Sequence, residues 1–156
     1  MLLVLCAALA LSVGVAAATG GNGNGGNSDA AKACQKGGWE NLVGADLTVF
    51  RNEGDCVSHV AKGGTLITPS LTETRHECGA GCWMTIVTGS GLKPGSHYNE
   101  FDKVLGGLAG GSVLGDGTVF GSLSSLCEIY FVTGIYAVGT TAAGKPITSN
   151  TVTGLC

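Results

Sequence analysis

Charge is scarce in this sequence. Only 12% of the 156 residues are charged, eight basic against eleven acidic, for a net charge of −3. The basic residues nowhere form a run, and phosphate backbones are held by clustered Lys and Arg, so composition argues against a nucleic-acid partner. An acidic tail is equally absent. Aromatics are few: four Phe, three Tyr and two Trp. The common catalytic signatures G-x-S-x-G, H-E-x-x-H and the Walker loop do not occur. His59, His76 and His97 are scattered. Glu73, Glu77, Glu100 and Asp102 carry no spacing that fixes a glycosidase-type pair, and each is expected at the solvated surface. These gaps rank an enzyme, such as a small secreted hydrolase, below a non-catalytic module, and no cofactor is expected.

What the sequence has instead is glycine, 28 residues, and cysteine, seven. Residues 1–18, MLLVLCAALALSVGVAAA, are uncharged and end in Ala16-Ala17-Ala18, the pattern of a cleaved secretory signal. No Lys or Arg precedes the apolar run, so a retained anchor stays open as the alternative. Residues 19–32 are dense in Gly and Asn and read as a flexible linker. Cleavage would leave six cysteines, an even number in a small exported chain, which reads as a disulfide framework.

Residues 33–66 read as a small stapled module. Asn52 caps a short helix with Glu53 and Asp55 in its first turn, Cys56, Val57 and Val60 share one face, and Gly63-Gly64 end it. So short a helix needs a packing partner, and Trp39 and Phe50 are the large apolar candidates. Gly37-Gly38 allow the tight turn that lays Trp39 over the helix. A Cys34–Cys56 bond closes this fold and contributes roughly 3 kcal/mol by restricting the unfolded chain. A Cys34/Cys56/His59 zinc site lacks a C-x-x-C pair, and no metal is expected. Trp39 reads as lid of the miniature core, with an exposed binding platform as the alternative.

Residues 67–156 read as a β-sandwich. Met84–Val87 is a β-branched run ended by the turn GSGLKPGS. GDG at 115–117 between apolar flanks signals a hairpin. EIYFVTGIYAV, 128–138, is strand material bent at Gly134, and 146–152 forms a last strand. LGGLAGG, 105–111, reads as loop. Hairpin register places Cys127 opposite Cys156, and two glycines between Cys78 and Cys82 permit a tight Cys78–Cys82 loop; a longer link from either to Cys127 is the alternative. Trp83, beside Cys82, is expected to pack on a disulfide.

The pattern C-x-x-G-G-W, then Phe, then N-[EQ]-G-x-C-V-S-x-V is carried here by Cys34, Gly37, Gly38, Trp39, Phe50, Asn52, Gly54, Cys56, Val57, Ser58 and Val60. It resembles a module of secreted actinobacterial and other Gram-positive proteins, with Glu53 where Gln is common. The resemblance implies export and a paired Cys34–Cys56, and no catalysis. VTGSGLKPGS and YAVGTTAAGKPITSNTV look like bacterial immunoglobulin-like sandwich domains of exported proteins and, more loosely, like apoproteins of the neocarzinostatin kind. The combined expectation is mainly β: an immunoglobulin-like β-sandwich preceded by a small disulfide-stapled Trp/helix module. Its function is expected to be binding at the cell surface or outside the cell, to a cell-wall or extracellular glycan or protein, with no membrane association after cleavage of the signal. A spacer domain without a ligand is the alternative. Candidate contact residues are Trp39 and the HYNEF stretch with His97, Tyr98 and Phe101, followed by Trp83 and Phe120.

Overall fold

The computed structural model describes residues 26–79, 82–126 and 134–153. The signal, the start of the linker and the expected Cys127–Cys156 pair lie outside them, as does the side chain of Cys78. Cys82 is disulfide-bonded; the other half of its bond also lies outside the described side chains.

The N-terminal module begins earlier than its composition predicts. Helix α1 (Gly26–Cys34) starts inside the stretch read as linker. Ala30 reaches the small core, and Lys32 pairs with Asp29 at 2.9 Å, so the turn before Cys34 is held by packing as well as propensity. A 3₁₀ turn (Gly38–Asn41) follows, then β1 (Val43–Gly44), α2 (Glu53–Ala61) and β2 (Leu66–Ile67), which pairs antiparallel with β1. In α2 the Asn52 side chain accepts from the Asp55 N–H at 2.9 Å, as an N-cap should. Gly63, at φ +87°, ends the helix by donating to the Val60 carbonyl. Cys34 and Cys56 are joined, with Cα atoms 5.8 Å apart, and Phe50 and Val60 bury against them.

The remainder is mainly β, two antiparallel sheets facing each other in a sandwich-like arrangement. One has the order β3 (Ser70–Gly79), β4 (Cys82–Ser90), β7 (Val119–Leu126); the other has the order β6 (Gly106–Ser112), β5 (His97–Asp102), β8 (Ile135–Thr140), β9 (Pro146–Thr148). Period-two burial picks out the inward rows: Trp83, Thr85 and Val87 on β4, Tyr98, Glu100 and Asp102 on β5. Leu71, Val87, Leu92, Tyr98, Val119 and Ala137 from both sheets form the main core. A smaller cluster holds Trp83 and Ile135 with Leu108, Leu123 and Val152, so the described packing around Trp83 is aliphatic.

Two readings of the sequence change here. LGGLAGG is not a loop, because β6 runs through it and pairs with β5. Its glycines mark close approach: a side chain at Gly110 would meet the Tyr98 carbonyl, and one at Gly111 the Tyr98 ring. The GDG turn is closed by Leu114 N–H to Thr118 O at 2.9 Å, but it is no simple hairpin. It carries the chain from one sheet to the other, as a corner between β6 and β7. Strand β3 escaped the sequence reading because Glu73 occupies its inward row and hides the alternation.

Candidate functional site

Among the described residues, the stapled module touches the sandwich at Leu47 and at Glu40. Leu47 of the module sits beside Gly117 in the β6–β7 corner, where φ of +74° and the lack of room both require glycine. On the other side Lys145, in the β8–β9 turn, donates from Nζ to the Glu40 carbonyl at 2.7 Å, with the Glu40 carboxylate at 3.8 Å. Both of these side chains are about half exposed, so the ion pair orients more than it stabilises.

Two adjoining grooves flank this bridge. The first, about 340 Å³, is walled by Asn41, Leu42 and Val43 of the module and by Pro69, Pro146 and Ile147 of the sandwich. The second, about 380 Å³, is walled by Trp39, Leu42, Val49, Phe50 and Arg51, with Ala143 opposite. Glu40 and Lys145 border both. Trp39 gets there because Gly37, at φ +83°, reverses the chain and Gly38 sits on the Ala33 carbonyl with no space for a side chain. Its indole is half-buried: it packs on the Cys34–Cys56 core and leaves the rest to the groove. The Arg51 side chain, 86% exposed and paired with Asp55 at 3.0 Å, supplies further donors at the rim. An indole and aliphatic walls with a few convergent polar groups suit a ligand having an apolar or ring face and oxygen acceptors.

The four residues expected to make contacts do not converge. Trp39 lines the second groove. Tyr98 is 4% exposed, in the main core, which overturns its assignment as a binding residue; its ring fills the space left by Gly111 and Gly121. His97 is exposed at the start of β5, and Phe101 stacks on Tyr136 at 5.7 Å, on the outward row of the four-stranded sheet. HYNEF is thus a strand with alternate faces, and its polar Asn99 and buried Glu100 disguise that. Trp83 is also buried, while Phe120 projects outward from β7, 72% exposed. The sulfurs of Cys34 and Cys56, bonded to each other, offer neither a zinc ligand nor a nucleophile. His59 instead stacks obliquely on Phe50 at 5.3 Å. Ala143 and Lys145 of the groove precede the last strand and Pro146 opens it; the sequence marked none of them as a contact residue.

The acidic residues separate into two environments. Glu77 pairs with Arg75 at 3.1 Å and is solvated, as expected. Glu73, Glu100 and Asp102 are not: each is at most 2% exposed, between the sheets. Asp102 is satisfied by N–H groups of Val104, Leu105 and Gly134 at 2.8–3.0 Å. Both oxygens of Glu73, Oε2 of Glu100 and Oγ1 of the buried Thr85 have no hydrogen-bond partner among the described residues. Burial is the main cause holding the Glu73 carboxyl at about 7; the nearby Thr85 hydroxyl offsets part of it, and the charge of Glu100 adds to it. Burial also raises Glu100, with Thr85 again opposing. Among the described residues no group of three or more His, Cys, Asp or Glu side chains is placed to hold a metal ion. No protein-family model matches this chain, and neither does any curated protein or solved structure.

Proposed function

We propose that the chain is an exported, non-catalytic binding module, at the cell surface or outside the cell, that holds part of an extracellular glycan or protein in the seam beside Trp39. One observation carries this reading. The half-buried Trp39 indole shares a groove with Phe50, Arg51 and Lys145, which combines a ring platform with donors and no strong net charge. A neutral chain such as a glycan meets those demands, because stacking and hydrogen bonding replace charge attraction. The disulfide Cys34–Cys56 is consistent with an oxidising compartment.

We also read the sandwich as immunoglobulin-like. Strand order supports this: the first, second and fifth strands face the fourth, third, sixth and seventh, which corresponds to A-B-E against C′-C-F-G.

The test is retention of the purified chain on immobilised cell-wall glycans and extracellular matrix proteins. Trp39→Ala and Lys145→Ala are each expected to weaken retention at least about tenfold, the scale of a lost interface anchor. His97→Ala and Phe120→Ser should leave it unchanged. No retention of the unsubstituted chain on any of these surfaces would leave the spacer reading standing.

A further inference from the structure

The interior acids are unrelated to the groove, and no binding role accounts for them. Glu73 stands on β3 in one sheet and Glu100 on β5 in the other, both 1% exposed. Two carboxyls that both ionised there would repel across the sandwich with no cation to offset them. The groups facing them show this. On β4 the inward neighbours are Trp83, Thr85 and Val87, none of them charged. On β5 they are the Tyr98 phenol and Asp102, whose carboxylate is already engaged by three N–H groups. Strand β7 offers Val119 and Gly121, and β8 offers Ile135, Ala137 and Gly139. After β9, Asn150 faces β3 through a neutral amide. No Lys, Arg or His side chain reaches this interior from the described strands.

Asn150 holds the backbone at Glu73. Asn150 donates from Nδ2 to the Glu73 carbonyl at 2.8 Å and accepts from the Glu73 N–H at 3.0 Å. It thereby completes the free edge of β3 as a strand neighbour would, and ties the chain after β9 to the opposite sheet. Thr85 is buried on β4, beside β3, in the same inward row as Val87, the cross-strand partner of Glu73.

We propose that Glu73 and Glu100 are not both ionised in the folded chain, one of them staying a neutral carboxylic acid, and so form a pH-sensitive clasp between the two sheets. Removing the proton leaves two negative charges in an apolar interior, and the sandwich loosens. The direction follows from linkage. An acid whose folded pKa lies above its unfolded value contributes stability that is fully present below the unfolded value, and loses it as pH rises through the folded one. For Glu73 that window runs from 4.5 to about 7.

Equilibrium unfolding of the full chain across this range is the test. The unfolding constant should rise about tenfold per pH unit inside the window and level off above it. Glu73→Gln should flatten the profile and unfold less readily than the unsubstituted chain at about pH 8, and Thr85→Val should move the midpoint. An unchanged slope in Glu73→Gln overturns the clasp. So does a chelator-induced drop in melting temperature at about pH 8, which would mean a cation sits between the carboxylates. Should Glu73→Gln fail to fold, infrared spectra of the unsubstituted chain decide. A protonated carboxyl persisting at about pH 6, where solvated Glu is ionised, supports the clasp, and its absence sinks it.

Discussion

Single residues in this protein take their roles from which side of a strand they occupy. Tyr98 and Phe101 belong to one short aromatic stretch, yet Tyr98 points into the core and Phe101 out to Tyr136. Tyr98→Ala should therefore behave as a core truncation, costing about 3–5 kcal/mol by chemical denaturation. A cost below about 0.5 kcal/mol, as at ordinary surface positions, would contradict its burial. Composition alone points the other way, because a hydroxyl and two polar neighbours suggest solvent. The same ambiguity attends Glu73 and Glu100: nothing in their sequence neighbourhood marks them as interior, since buried carboxyls are rare enough that solvation is the rational expectation. Trp39 was more legible, because Gly37-Gly38 before it and a capped helix after it leave few places for the ring.

Among the elements, the short helix α2 was the most readable. Its cap, its acidic first turn and its glycine stop each act within a few residues, so no knowledge of the rest of the chain is needed. Strands β3 and β6 were the least readable. One carries Glu in its inward row, and the other is built of glycines whose purpose is to let Tyr98 approach. The edge of β3 has its own device in Asn150. Replacing it by Ala leaves the Glu73 N–H and carbonyl without their partners, at a cost of about 1–3 kcal/mol. Amide exchange at Glu73 should quicken accordingly, while the capped end of α2 stays protected. Equal acceleration in both would show that Asn150 acts globally and not on this edge.

At the scale of the whole molecule, a disulfide-closed module docks on a sandwich through a leucine beside a glycine corner and a lysine on a carbonyl. The bond spans 22 residues, so its loss should destabilise the module by roughly 3 kcal/mol. A Cys34→Ser, Cys56→Ser double variant should unfold α1 and α2 at a temperature that leaves β3–β9 intact, read by strand-resolved amide exchange. Simultaneous loss of both parts would mean that the seam, and not the bond, holds the module. The sequence by itself determined the local parts: the cap and stop of α2, the cysteine pair around it, the turns, and the mainly β character of the rest. These rest on backbone preferences and spacing, which act over a few residues. The tertiary structure alone decided which strands pair, that the GDG corner changes sheets, that Trp39 and Lys145 border one groove, and that two glutamates are buried on opposite sheets. Those outcomes depend on contacts between residues far apart in the chain, and no local pattern encodes which distant partner a side chain will find.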